Sequence, residues 1–452
     1  MTQITTFDEA LAAIWERSGY DRGFISNPFA GDDAARLGLV RTARVLELLG
    51  NPDRDYPIVH VAGSKGKGST ASFVDSILRA AGQRSGRFLS PHLHSYRERF
   101  VVDNAIIGEA DFTRLVADVM SPTIEAERAD DAIGQLTAWE ISTAMALLWF
   151  SRSDCDIAVV EVGMGGTLDA TNVIDPAVSV ITTLDYEHTA ILGTTMTEIA
   201  SNKAGIIKPG RPAVSADGPV EALKVIEAKA YEAGAPLSFA NRDWTVTGTD
   251  RSFTVVGANW RHDDLVSSLI GRHQVDNAGL AIAAVHELLK LNLPPDGTID
   301  ESVRRGIGAA FLPGRFEIMR HPSGVTFVLD GAHSPASAQA LALAVRERFP
   351  AFKITIVIGM LEDKDPARLL QPFVPLANRW LVAPPESPRA QRSDTIVAAL
   401  RALGAEPEAT RGVRDAIAQA IPAASSPAAN DVVVVTGSLS TVADARLALG
   451  LA

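Results

Sequence analysis

The sequence predicts an α/β fold in two domains: an N-terminal P-loop-type domain with a mostly parallel sheet and a small antiparallel insert, and a C-terminal Rossmann-like domain. Three observations carry that expectation. Short runs rich in Val and Ile alternate with helical patterns that end at Gly or Pro, as βαβ units do. A glycine-rich loop at 63–70 stands between a strand pattern and a helix pattern. Between residues 243 and 269 the pattern changes to short alternating stretches broken by Gly248 and Gly257, the mark of antiparallel hairpins.

Taken in order, Ile58–Ala62 reads as a strand, 69–81 as a helix stopped by Gly82, 157–162 as a buried strand and Val178–Ile181 as another. Helices follow at about 196–207 and 219–233, and the hairpin insert is expected at the edge of the first sheet. A helix over about 274–291 precedes the breaker Pro294-Pro295-Asp296-Gly297, and a shorter one ends near Gly308 before Leu312-Pro313-Gly314. The domains are therefore expected to be 1–308 and 309–452. In the second, strands at 325–329, Lys353–Ile358, 380–382 and 432–435 are separated by helices, as in a doubly wound sheet. The Ala/Ser/Pro stretch 422–430 reads as a solvated loop.

At 452 residues, with 46% hydrophobic and 21% charged, the chain is large enough for two sizeable cores and is neither a disulfide miniprotein nor a disordered polymer. Asp plus Glu outnumber Lys plus Arg by 54 to 42, and a net charge of −12 argues against a nucleic acid partner. The single cysteine, Cys155, allows no internal disulfide and has no CxxC neighbour, which fits a reducing compartment. No leader-like apolar segment opens the chain and no apolar run nears the ~20 residues a membrane span needs. A cytoplasmic protein without a membrane partner is expected.

The loop Gly63-Ser64-Lys65-Gly66-Lys67-Gly68-Ser69-Thr70 suits nucleotide phosphate, because glycines free backbone N–H groups where a helix N-terminus is positive. Lys67 would reach the β/γ-phosphates, and Ser69 or Thr70 would place a hydroxyl on Mg²⁺. The spacing is not that of the ordinary P-loop, which would need Gly at Val61 and Ser or Thr at Gly68. The competing reading is a merely flexible loop. Glu161 ends an apolar strand, where a carboxylate is costly unless paired, hydrogen-bonded or bound to a cation, so it suits Mg²⁺. The glycine-rich run 163–172 lets the backbone approach a ligand, with Asp169 and Asn172 able to fix polar groups. His188, after another strand, reads either as a ligand or as an ordinary surface or core residue.

Together these segments resemble the folylpolyglutamate synthase/dihydrofolate synthase family of the Mur ligase superfamily. The resemblance runs through 60–69, 89–93 (Leu-Ser-Pro-His-Leu), 161–172, 188–193, 203–208 and 271–278, and continues in 313–317, 329–333 (Leu-Asp-Gly-Ala-His), Asp363-Lys364-Asp365 and 436–439. It implies an ATP-dependent ligase that phosphorylates the terminal carboxylate of a folate. The amino group of L-glutamate then attacks the acyl phosphate, with tetrahydrofolate and its polyglutamates as main acceptors and dihydropteroate as a further one. Gly63, Gly66, Lys67, Gly68, Ser69 and Thr70 would hold ATP, with Asn277 and Arg315 on its phosphates and Asp330 on the ribose. Ser90, Glu161 and His188 would hold Mg²⁺ with Ser69. Lys203 corresponds to a lysine used in carbamylated form, and His333 would lie near the glutamate. Lys67, Lys203 and His333 are thus the implied catalytic residues.

Thr137, Trp139, Leu168, Asp169 and Ala170 are implied on the pterin side, although Trp139 also fits a buried helical stripe with Met145, Leu148 and Trp149. The segment 90–103, with His92, His94, Arg97 and Arg99, resembles the loop that covers the folate, and its cations suit a carboxylated substrate. The partners implied are small molecules, with the chain a monomer. Four positions depart from the family's usual pattern: Thr167 and Asn202 replace Arg and Glu, Ser334 replaces Asn, and Lys65 replaces Asn. Thr cannot supply the cation that Arg would. Two other readings stay open, a Mur-like ligase for another carboxylate and a nucleotide-binding regulatory protein without ligase activity.

Overall fold

The run Ile-Val-His-Val-Ala at 58–62 is buried at every position, which only an interior strand covered on both faces tolerates. It pairs in parallel with Ile157–Glu161 on one side and Val178–Ile181 on the other, with Val61 opposite both Glu161 and Val180. The structure, a computed structural model, describes residues 4–18, 32–129, 134–292, 299–421 and 431–451, and two of the sequence-read breakers and loops, 294–297 and 422–430, lie outside them. Two compact units result. One takes the chain up to Ser267 with Val275–Ala310, and the other takes Ser268–Gln274 with the chain from Phe311 on.

The first unit holds an eight-stranded sheet in the order Ala105–Ile106, Phe100–Val102, Ser85–Phe88, Ile157–Glu161, Ile58–Ala62, Val178–Ile181, Ala213–Ser215, Leu237–Phe239. It is parallel except for the two strands at the 105–106 edge. The helix after the glycine loop is Lys67–Ala80, two residues earlier than the side-chain pattern implies, because Gly66 turns left-handed (φ 90°) and caps it. Helix Ala138–Arg152 is buried on nearly all sides, with Met145 and Leu148 in the core and Trp139 and Trp149 packed against it. Cys155 is buried just before the 157–161 strand, and burial pushes its thiol up to about 12, so it is an inert core residue.

The insert does follow the edge strand Leu237–Phe239, but it does not extend that sheet. Trp244–Thr249, Ser252–Gly257 and Arg261–Leu265 pair antiparallel into a sheet of their own. The reason is one-sided burial: Trp244, Phe253, Val255 and Leu265 turn inward, and Trp244 and Val246 lie against Gly279 of helix Arg272–Leu289, where a Cβ would stand 2.3 Å from Val246. Beside it, His262 Nδ1 meets Asp300 Oδ1 at 2.7 Å and His262 Nε2 meets His286 Nε2 at 2.9 Å. The His286 ring stacks on Trp260 with centroids 4.2 Å apart.

Burial pushes several imidazoles of this unit down, furthest in His60, with Lys208 adding to the effect, and His286, with His262 and Lys290 adding, each to about 3, and next in His92, to about 4. In the unfolded chain they protonate near 6.5, so between about 6.5 and 3 the unfolded state binds more protons and stability falls as pH drops. The expected result is a melting temperature several degrees lower at pH 5 than at pH 7.5, with a slope of at most ~1.4 kcal/mol per group per pH unit. His286→Gln should flatten part of that slope. A flat profile for the unmodified chain from pH 7.5 to 5 would contradict it.

The second unit has six strands in the order Glu317–Arg320, Thr326–Leu329, Asp431–Thr436, Lys353–Ile358, Arg379–Val382, Pro407–Ala409. Only the first is antiparallel to its neighbour. Glu317–Arg320 and Pro407–Ala409 carry no Val/Ile run and were not legible as strands; both are edges with half-exposed patterns. The segment 268–274, expected in the first domain, goes with this unit because Ile270 packs against its core. Among the described residues no helix is long and apolar enough to cross a membrane.

Candidate active site

The phosphate-type loop is tied to the segment that follows strand Val178–Ile181. The N–H groups of Ser64 and Lys65 both donate to Thr183 O, Ser64 Oγ donates to Asp185 O and Thr182 Oγ1 donates to Lys65 O. Two glycines are forced by this closeness. A Cβ on Gly63 (φ 149°) would fall 1.8 Å from Thr182 Oγ1, and one on Gly66 would fall 2.3 Å from Asn277 Oδ1. Lys67 and Lys203 converge on one atom: their ammonium groups donate to Gly63 O at 3.0 and 2.9 Å. Lys203 is 2% exposed, and burial, then Lys67, push it down to about 7. Lys65 pairs with Glu187 at 2.9 Å. Burial would raise the Glu187 carboxyl, but Lys67 and Lys65 hold it below its ordinary value.

These residues fit a nucleotide and a hard cation. The Thr70 hydroxyl is fully buried at the loop with no partner among the described residues, and Ser69 beside it is 4% exposed. Glu161, 4% exposed, accepts from the Ser90 N–H at 2.9 Å, which brings the ends of two neighbouring strands together. His188 is exposed in a left-handed conformation (φ 50°) at the start of the short helix Thr189–Leu192. Among the described residues no three of His, Cys, Asp and Glu gather as a metal cluster. Mg²⁺ does not require one, because hydroxyl, water and phosphate oxygens complete its shell.

The run 163–172 is a second close-packed turn. Asp169 is 2% exposed and accepts from Met164 N, Thr171 N, Thr171 Oγ1 and the Trp139 indole, at 2.9, 3.0, 2.6 and 3.2 Å. Burial pushes its carboxyl up while those donors pull it back. Since the Thr171 hydroxyl donates to Asp169, the His60 Nε2–H donates to Thr171 Oγ1 at 2.8 Å, which continues the chain of bonds into the core. Ala170 is buried, Leu168 half-buried, and Thr167 exposed with both its N–H and Oγ1 donating to Asn202 O at 2.8 Å. Two of the departing positions, 167 and 202, therefore touch. The contact is made through the main-chain carbonyl of Asn202.

Trp139 is half-buried, its ring stacked on Phe88 with centroids 5.2 Å apart and set against Gly163, where a Cβ would meet it at 2.6 Å. Thr137 acts locally as the cap of helix Ala138–Arg152 in a reciprocal pair with Glu140, which Arg41 holds at 2.7 Å. In the second unit, Asp330 closes strand Thr326–Leu329 and accepts from Phe316 N and Ala332 N at 2.8 and 2.9 Å. Burial pushes its carboxyl up against the pull of Arg315. A Cβ on Gly331 would stand 2.8 Å from Arg315 Nη1, so Arg315, Asp330 and the turn carrying His333 form one group. His333 Nδ1 donates to Gly331 O at 2.8 Å, and Ser334 caps helix Pro335–Arg348.

Thus the first unit gathers the sequence-read Gly63, Gly66, Lys67, Lys203 and Asn277, and the second gathers Arg315, Asp330 and His333. Sequence reading assigned no role to Glu187 or Phe88. The signal for Glu187 was an acid beside a candidate ligand histidine. Phe88 gave none, because its role depends on the register of strand Ser85–Phe88 beside Ile157–Glu161.

A phosphate-type loop on a parallel sheet, an acid at the next strand's end and a separate second α/β unit are the design of a Mur ligase. Residues 61–285 match the Mur ligase middle domain and residues 314–439 the Mur ligase glutamate ligase domain. A dihydrofolate synthase/folylpolyglutamate synthase of Bacillus subtilis is 35% identical over 422 residues, 90% of this chain and 94% of that protein. The chain belongs to the folylpolyglutamate synthase/dihydrofolate synthase family. A bifunctional folylpolyglutamate synthase/dihydropteroate synthase of Halobacterium salinarum is 38% identical over 90% of this chain, which spans only 49% of that relative's length. Among solved structures, Mycobacterium tuberculosis folylpolyglutamate synthase with ADP superposes with a TM-score of 0.86 at 31% identity, covering 99% of each chain. A bifunctional folylpolyglutamate synthase/dihydrofolate synthase with Mn, AMPPNP and L-glutamate bound gives 0.83 at 30%, covering 100% of each.

Proposed function

We propose that the chain is an ATP-dependent ligase that adds L-glutamate to tetrahydrofolate and its polyglutamates, with dihydropteroate as a second acceptor. The observation that carries this is the convergence of Lys67 and Lys203 on the Gly63 carbonyl, inside a loop that leaves no room for a Cβ at Gly63 or Gly66. A carboxylate is a poor acyl donor until one of its oxygens becomes phosphate. Transfer of the γ-phosphoryl of ATP to it releases ADP. The glutamate amine then attacks the acyl carbon, phosphate leaves and the nitrogen loses a proton. In this reading Lys67 and the loop N–H groups stabilise the charge on the phosphoryl group, and Asn277 and Arg315 hold the phosphates. Ser69, Ser90, Glu161 and His188 hold Mg²⁺, which supplies Lewis-acid charge when bound. Asp330 holds the ribose, and His333 lies by the glutamate.

Trp139, Asp169, Leu168 and Ala170 border the pterin, with Thr137 capping the helix that carries the indole. In this reading the glycine loop and the pterin-side residues belong to the first unit, and the second supplies Arg315, Asp330 and His333. Lys203 is carbamylated in this reading, and the chain works as a monomer in the cytoplasm, where reduced Cys155 is at home. The relative solved with Mn, AMPPNP and L-glutamate supports the choice of nucleotide, cation and amine.

A second reading, ligation to a different carboxylate, is favoured by Thr167, whose donors are spent on Asn202 so that the position offers a ligand no cation. The test is ADP release by the purified chain with Mg²⁺, ATP and L-glutamate and either tetrahydrofolate, dihydropteroate or no acceptor, with product masses recorded. A glutamate-sized gain on tetrahydrofolate is expected. ADP release without any amide would sink the folate reading.

A further inference from the structure

Among the described residues, four cationic residues are buried: Arg87 at 8% exposed, Arg99 at 5%, Lys203 at 2% and Arg446 at 9%. Burying a charge is expensive unless something answers it. Arg87 has Asp75 at 3.1 Å, Arg446 has Glu317, and Lys203 can give up its proton. Arg99 has none of these remedies. A guanidinium cannot be neutralised, and among the described residues no carboxylate lies within ion-pair distance of it. The adjacent Glu98 is turned away, accepting from Leu93, His94 and Ser95 N–H groups. Arg97, two residues earlier, does have a carboxylate, Glu109 at 3.2 Å, and donates to Ile107 O at 2.9 Å.

What Arg99 does have is a frame. Its Nε donates to His92 Nδ1 at 3.0 Å, and its Cζ stands 4.3 Å from the Tyr96 ring centroid and 5.9 Å from that of Trp139. Burial, then Arg99 itself, hold His92 down at about 4, so the ring stays a neutral acceptor. The aromatic faces soften the cost of the cation without cancelling it. Trp139 in turn carries Asp169 on its indole nitrogen. A fixed donor fork and a fixed carboxylate therefore flank one half-exposed aromatic ring.

We propose that Arg99 is a specificity-determining residue. Its guanidinium donates to the carbonyl or ring-nitrogen edge of a flat heteroaromatic ring that packs at Trp139, while Asp169, whose oxygens already accept from Met164, Thr171 and the Trp139 indole, holds that indole in place. This rests on the folate reading and refines it: of the four cations in the 90–103 loop, Arg99 answers the ring and not a carboxylate. A ligand carboxylate on Arg99 is the alternative that the experiment separates.

Calorimetric titration of the full chain with ADP present would compare pteroic acid, which carries the pterin and a benzoate carboxylate, with 6-hydroxymethylpterin, which carries the pterin alone, and with p-aminobenzoyl-L-glutamate, which carries carboxylates but no pterin. Arg99→Met should lose at least about tenfold in pteroate affinity and change less than about twofold toward p-aminobenzoylglutamate and ADP. Arg99→Lys, which keeps the charge but not the planar fork, should also lose severalfold and decides the matter if the Met variant does not fold. Pteroate binding unchanged in both variants would overturn the role of Arg99 while leaving the ligase reading intact. A loss confined to p-aminobenzoylglutamate, or a loss on pteroate that 6-hydroxymethylpterin does not share, would also overturn it, in favour of a carboxylate. Absence of pteroate binding by the unmodified chain would instead overturn the folate reading itself, and this inference with it.

Discussion

Lys67→Met is expected to lower the rate of amide formation by about 10³-fold or more, since a fixed cation on a transferring phosphoryl group commonly contributes that much. The ammonium sits in the first turn of helix Lys67–Ala80 and donates to Gly63 O at 3.0 Å. That bond is a resting contact. A phosphate arriving in the cradle of Gly63 and Gly66 would offer a charged acceptor where the loop now offers a carbonyl, so the side chain has a partner to exchange rather than a structure to support. The helix itself is started by the Gly66 backbone, and Met has good helix propensity, so the melting temperature should stay within a few degrees of the unmodified value. Nucleotide affinity should fall much less than turnover, because the loop N–H groups and Asn277 remain. The check is the rate of ADP release with tetrahydrofolate and L-glutamate, alongside ADP titration. A variant keeping more than a tenth of the activity would remove Lys67 from the phosphoryl-transfer step.

The contrast between Lys67 and Phe88 shows how far the sequence could be read. Strand 58–62, the glycine loop and the helix after it are contiguous, and their order alone dictates a helix N-terminus facing a loop rich in N–H donors. Glu161 was legible for a similar local reason, as a carboxylate ending a buried strand. The links that register creates were not. Trp139 meets Phe88 and Asp169 only because strand Ser85–Phe88 lies beside Ile157–Glu161 and the 163–172 turn folds back under helix Ala138–Arg152. Ile270 likewise joins the second unit through packing that no composition shift announces. The insert was legible as hairpins because alternation is local, whereas its separation from the main sheet rests on a long-range contact with Gly279.

Lys203 leads to the second large effect, and its burial sets the sign. At 2% exposed, Lys203 is disfavoured as a cation by burial and then by the neighbouring Lys67 charge, which together outweigh the Gly63 O that accepts from its ammonium, and its pKa is pushed down to about 7. Near neutral pH a large share of the side chain is therefore a free amine, the form that adds CO₂ to give a carbamate and a proton. The neutral share grows as pH rises through about 7, so carbamate formation should be favoured at pH 8 and suppressed at pH 6. Removing CO₂ from the buffer is expected to cut turnover about tenfold, the usual scale for losing a group that supports a metal site, with bicarbonate restoring it. The deficit should be larger at pH 6 than at pH 8 when CO₂ is limiting. Lys203→Arg cannot form the carbamate, because a guanidinium stays protonated, and should lose about 10²-fold or more at every CO₂ level. Lys203→Met removes a buried cation and should leave the melting temperature nearly unchanged while losing activity to a similar degree. Turnover indifferent to CO₂ at both pH values would mean that the lysine acts as the amine or ammonium alone, held at Gly63 to share the phosphate charge with Lys67.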